Sequence, residues 1–136
     1  MLFEFIDSEI GRVEAADGHL HIYFAAAMVR TGANASPTAT ACSLGGQATR
    51  AYVRNLAIHC TQAVVTGDVA ACIGTISHGT VTLAGQRQTS LHVPTHINGN
   101  IQLRLQCANG AWLQADAAAL TCQLEGDAQW VDVLQC

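Results

Sequence analysis

The sequence predicts an all-β domain: a single antiparallel sandwich or open barrel of about ten strands. Two observations carry this. Three short connections, Ala16-Asp17-Gly18, Ala108-Asn109-Gly110 and Glu125-Gly126-Asp127, each lie between alternating apolar residues. Asp-Gly and Asn-Gly supply the positive φ angles that tight antiparallel turns require. Strand-like runs also recur about every 8–12 residues, the spacing of a sandwich or barrel.

The elements follow in order. Residues 8–16 and 19–25 form the first hairpin. With Asp17-Gly18 as a two-residue loop, Ala15 faces Leu20 and Val13 faces Ile22, while Glu14 faces His21 and Arg12 faces Tyr23. Apolar meets apolar, so the register is self-consistent. Residues 31–49 are small, carry Gly45-Gly46 and show no period, which predicts a long flexible loop. Residues 51–65 read as one long strand with Leu56, Ile58 and Cys60 on one face. Further strands are expected at 69–77, 80–84, 88–93, 100–107, 111–115, 118–124 and 129–134, with Pro94 ending the one before it. The Ala25-Ala26-Ala27 and Ala117-Ala118-Ala119 runs are too short to make helices inside strand patterns. The whole chain, 1–136, reads as one β domain.

The later turns place two tryptophans. At Asn109-Gly110 a two-residue loop would set Gln106 against Leu113. A three-residue loop with Gly110 in the left-handed region instead pairs Cys107 with Ala111, Leu105 with Leu113 and Leu103 with Ala115. Trp112 then leaves the core face and joins Arg104, Gln106 and Gln114. With Gly126-Asp127 as the last loop, Cys122 would face Val131 and Leu120 would face Val133. That register sends Trp130 outward beside Gln123 and Asp132. Two bulky aromatics on a Gln-rich face call for a cover: a second layer, a partner or a ligand.

Composition narrows the partners. Only 12% of residues are charged, half are apolar, and net charge is −4. All six cations are arginine. Without a basic run, nucleic-acid binding has no electrostatic footing. Without lysine, the commonest guard against sheet-to-sheet pairing is missing. No run is long enough to span a membrane as a helix. The opening Met-Leu-Phe-Glu-Phe-Ile-Asp lacks a basic secretory n-region, so a cytoplasmic location with mostly reduced, buried cysteines is expected.

Motifs for catalysis are sparse. His59 and Cys60 are adjacent on a strand and point to opposite faces, so they cannot form a dyad. The cysteines at 42, 60, 72, 107, 122 and 136 show no zinc-ribbon spacing. No local geometry forces two carboxylates together, and there is no phosphate loop or nucleophile elbow. His19 and His21 share a strand face, a spacing that can chelate a metal. This pair resembles the His-x-His of the cupins, a family of β-barrels, and the resemblance implies a metal at those two residues. The acid of the cupin first motif has no counterpart between Ala25 and Val29, and the stretch Leu91–Gly99 does not reproduce the second motif's order. Glu14 opposite His21 fits an ordinary cross-strand pair equally well.

These readings point away from an enzyme and call for no cofactor. The leading expectation is a β module that self-associates or binds a protein partner, a small assembly protein being one form. Its contact residues would be Trp112, Trp130, Arg104, Gln106, Gln114 and Gln123. The alternatives are a carbohydrate or small-molecule binding module using the same tryptophans, or a cupin-like metal-binding barrel at His19 and His21.

Overall fold

The computed structural model describes residues 1–31 and 49–131. The flexible loop expected at 31–49 therefore falls, for residues 32–48, outside the described residues. The rest is all-β and antiparallel, in ten strands. They are β1 (Leu2–Ala16), β2 (His19–Thr31), β3 (Thr49–Val53), β4 (Leu56–Thr61), β5 (Val64–Gly67), β6 (Gly74–Leu83), β7 (Gln86–Gln88), β8 (Ser90–His92), β9 (Thr95–Cys107) and β10 (Trp112–Leu124). Six of them close a ring in the order β1-β2-β4-β10-β9-β6 and back to β1. The short β3, β5, β7 and β8 hang on β2, β10, β6 and β1. The ring is a barrel, and closure gives each of its six strands a neighbour on both sides, so none of them is left as an edge.

Alternation along each strand fills the interior. Phe3, Phe5, Leu20, Ile22, Ile58, Leu103, Leu105, Leu113 and Leu120 are completely buried in one cluster. Phe3 packs edge-on to Phe5 at 5.0 Å and against Phe24 at 4.9 Å. On β9 every second residue from Ile101 to Cys107 is buried, and the ones between are exposed.

The first hairpin has the expected register, with Ala15 opposite Leu20, Val13 opposite Ile22, Glu14 opposite His21 and Arg12 opposite Tyr23. Both strands run well beyond the expected 8–16 and 19–25. The β1–β2 ladder is broken between Glu4 and Glu9, where Asp7 takes φ +72°. A bulge lets one strand change neighbours, and β1 pairs with β8 before it and with β6 after it. The buried Ser8 hydroxyl donates to the Glu4 carbonyl (2.7 Å) and accepts the Met28 amide (2.8 Å), replacing part of the interrupted ladder.

The Asn109-Gly110 connection is the expected three-residue loop. Leu105 faces Leu113, Leu103 faces Ala115, and the Cys107 amide donates to the Ala111 carbonyl. Gly110 sits at φ +91°, and a methyl group there would meet nothing within 4 Å. Gly110→Ala is therefore expected to cost about 1 kcal/mol, from backbone strain alone. A urea midpoint unchanged by that substitution would show that the strain is relieved elsewhere.

Four sequence expectations are corrected. The single strand at 51–65 is three strands. The Asn55 side chain holds the first break in place: its amide donates to the carbonyls of Glu125 and Asp127 and its oxygen accepts the Gln129 amide. Gln62 at φ +49° makes the second break, after which β5 continues along the start of β10 in the same direction and register as β4. The stretch 69–77 opens with a 3-10 turn, Val69–Ala71, before β6 begins. The segments 111–115 and 118–124 are one strand, β10, with a register shift against β9 between Ala117 and Ala119.

The last hairpin does not form. The edge of β10 that Val131 and Val133 would need is held by β4, with Cys122 opposite Ile58 and Leu120 opposite Cys60. The chain after β10 crosses to β3, where Trp130 bridges Val53 and the Val131 amide donates to the Tyr52 carbonyl. Val133 lies outside the described residues.

Four cysteines, Cys60, Cys72, Cys107 and Cys122, are free thiols with essentially no exposure. Burial pushes Cys60, Cys72 and Cys122 up to about 12 from an ordinary 9.0, and for Cys72 the Cys107 sulfur at 3.4 Å adds to it. All four are expected to resist a thiol reagent at pH 8 and to react on unfolding. The folded values of Cys60, Cys72 and Cys122 lie above the unfolded one. The stability they contribute is thus complete below pH 9 and declines as pH rises from 9 toward 12. Cys60→Ala with Cys122→Ala should flatten that alkaline decline. Rapid native labelling of these thiols would contradict the burial.

Candidate functional site

Among the described residues the buried side chains are apolar apart from Ser8 and Thr31, so most polar side chains lie on the outside of the barrel or at its ends. The cross-strand registers organise one outward face into three rows across β7, β6, β9, β10 and β5. One row runs Arg87, Thr82, Gln102, Asp116, Val64. The next runs Thr80, Arg104, Gln114, Thr66. The third runs His78, Gln106, Trp112. Residues two apart on a strand share a face, which is why β6 contributes His78, Thr80 and Thr82 and β9 contributes Gln102, Arg104 and Gln106.

A groove runs along this face, lined by His78, Thr80, Thr82, Arg87, Gln102, Arg104 and Gln106. Trp112 stands at its margin with 42% of its surface exposed, the most open aromatic among the described residues. Beside Trp112 the Asp68 amide donates to the Trp112 carbonyl at 2.7 Å, which ties the strand start to the loop after β5. Gln102 donates to Asp116 at 3.3 Å, the one carboxylate in the three rows.

Four of the six contact residues expected from sequence, Trp112, Arg104, Gln106 and Gln114, do lie together on this face. The other two do not. Trp130 is half-buried and packs against the core cluster beside Val53. Gln123 is exposed opposite Ala57, at the far end of β10. About 40 Å of extended strand separates Trp112 from the end of β10, so no single surface holds both tryptophans. His78, Thr80, Thr82 and Arg87 are the residues that sequence reasoning missed. The alternation His78-x-Thr80-x-Thr82 is visible in the sequence, but nothing local shows that β6 lies beside β9.

The histidines form a second outward cluster, centred on β2 and β4. A row runs Glu14, His21, His59, Thr121, His96 across β1, β2, β4, β10 and β9. The His21 and His59 rings stack at 4.0 Å, and His19 Nδ1 lies 3.1 Å from His59 Nε2. His96 Nδ1 lies 2.7 Å from the Thr121 hydroxyl, and Arg12 covers the Tyr23 ring at 4.3 Å. Burial holds the His59 imidazole below its ordinary 6.5, and repulsion from His21 and then His19 adds to this. The His59 ring thus lies against His21 and His19. Among the described residues, no three His, Cys, Asp or Glu side chains are arranged to hold a metal ion.

The geometry defines a class of molecule: a closed six-stranded antiparallel barrel with an apolar interior and a polar ladder on its outer wall. Beyond that class, no family model, curated protein or solved structure matches the chain.

Proposed function

We propose that this protein is a non-catalytic binding module that takes a small, hydroxyl-rich ligand of carbohydrate type on the β7-β6-β9-β10-β5 face. The half-exposed Trp112 indole, set in rows of Gln, Thr and Arg, carries the reading. An indole offers a flat apolar surface to a sugar ring, and neighbouring amides and hydroxyls both donate to and accept from its hydroxyl groups. The rows contain one carboxylate, so an acid–base pair of the glycosidase kind is not assembled there.

The test is a panel of mono- and disaccharides followed by the indole N–H resonance of Trp112 in the full chain. One or more sugars should shift that signal, and Trp112→Ala should abolish binding while leaving the β circular dichroism unchanged. A panel that leaves the Trp112 signal in place throughout would sink the reading.

Self-association through the same face is the second reading. It is favoured by the exposure of Val64 (66%) and Trp112 (42%), which end two of the three rows, and by the scarcity of charge. The two readings differ in solution mass. Under the ligand reading the protein is a monomer at tens of micromolar, with Trp112 quenched by iodide and Trp130 shielded. A dimer in which Trp112 is protected, and which Trp112→Ala dissociates, would favour self-association.

A further inference from the structure

The groove beside Trp112 has a charge character that the carbohydrate reading alone does not require. The chain is acidic, at net charge −4, and has only six cations. Two described arginines are committed elsewhere: Arg12 to Glu14 at 3.5 Å and Arg30 to Glu4 at 2.8 Å. Arg87 and Arg104 line the groove instead, and neither has an ion pair or side-chain hydrogen bond among the described residues. His78 lines it with them.

No carboxylate lines this groove. The nearest in register, Asp116, lies one strand over from Gln102 and accepts that residue's amide. Between the two arginines stand Thr80 and Thr82, whose hydroxyls can donate. Arg87 and Arg104 are two strands and one row apart, about 12 Å between backbones, so their long side chains can lean over the same threonines. Unpaired guanidinium groups flanking hydroxyl and amide donors are the usual recognition set for a carboxylate, sulfate or phosphate.

We infer that the groove is an anion subsite, and that the ligand is an acidic sugar bearing a carboxylate, sulfate or phosphate group. This rests on the carbohydrate reading. Arg87 and Arg104 would hold the acidic group over Thr80 and Thr82, Gln106 would bridge to the ring, and Trp112 would stack on it. His78, at the end of the row through Gln106, would add a ring N–H as a further donor.

The experiment is a titration of the full isotope-labelled chain with three probes: inorganic sulfate, glucose 6-sulfate and glucose. It follows the Arg Nε–H signals and the Trp112 indole. Glucose 6-sulfate is expected to bind at least tenfold more tightly than glucose and to move both sets of signals. Arg104→Gln and Arg87→Gln should each weaken it at least tenfold, and raising salt from 50 to 500 mM should weaken it further. Arg50→Gln, a cation off this face, should change nothing.

Equal affinity for glucose and glucose 6-sulfate, unaltered in the arginine variants, would overturn the anion subsite and leave the carbohydrate reading standing. Sulfate that shifts the arginine signals while neither sugar moves Trp112 would support the subsite and overturn the carbohydrate reading. Silence from all three probes at tens of millimolar would overturn both.

Discussion

Gly79→Ala is expected to destabilise the barrel by about 3 kcal/mol, at the upper end of what overpacking costs. Gly79 is buried in β6 opposite Leu105, and the Phe5 side chain crosses directly over it. A methyl group there would collide with Phe5 Cβ, come within 2.8 Å of Phe5 Cγ and within 3.2 Å of Leu105 Cδ2. The conflict is with the root of the Phe5 side chain, so a ring flip cannot relieve it. Relief requires β1 and β6 to separate, and they are adjacent members of the closed ring. In an open sheet an edge could splay, but a ring transmits the shift to every neighbour. Urea denaturation checks this. A midpoint that places the variant within about 0.5 kcal/mol of the unmutated chain would mean that Phe5 is looser than its complete burial implies.

Ser8→Ala is expected to cost about 1–3 kcal/mol although it removes a single oxygen. Ser8 and Thr31 are the two buried polar residues among those described. The Ser8 hydroxyl is the partner of the Met28 amide across the break in the β1–β2 ladder. Alanine leaves that amide buried and unpaired, and the Glu4 carbonyl loses its donor as well. Ser8→Thr keeps the hydroxyl and should cost less than the alanine. Hydrogen exchange gives the sharper readout: the Met28 amide should exchange faster in Ser8→Ala by more than the global loss of stability explains. An unchanged exchange rate would show that water replaces the hydroxyl.

Ser8 also shows where local reading runs out. From sequence the first hairpin begins at residue 8. The structure continues β1 to Leu2 through a bulge at that point. A bulge shifts the alternation by one residue, and periodicity alone cannot tell that from a strand end. Trp130 failed for a different reason. The Glu125-Gly126-Asp127 turn is real, but it turns the chain toward Asn55 rather than back along β10. Which strand occupies an edge is a competition between distant segments, and β4 holds the one that a hairpin would have used. Trp112 succeeded because its outward position follows from a three-residue loop and strict alternation, both local.

The fold class, the two tight hairpins with their cross-strand partners, and the outward direction of Trp112, Arg104, Gln106 and Gln114 are legible along the chain. These depend on turn chemistry and a period of two, which act over a few residues. The complete fold settles that the sheet closes into a ring. It alone placed β6 and β7 beside β9, which sets Arg87, His78, Thr80 and Thr82 next to Arg104, and β4 beside β2, which stacks His59 on His21. Those neighbours come from segments tens of residues apart. Their pairing is selected by how the whole set of buried faces fills one interior, a quantity that no window along the chain contains.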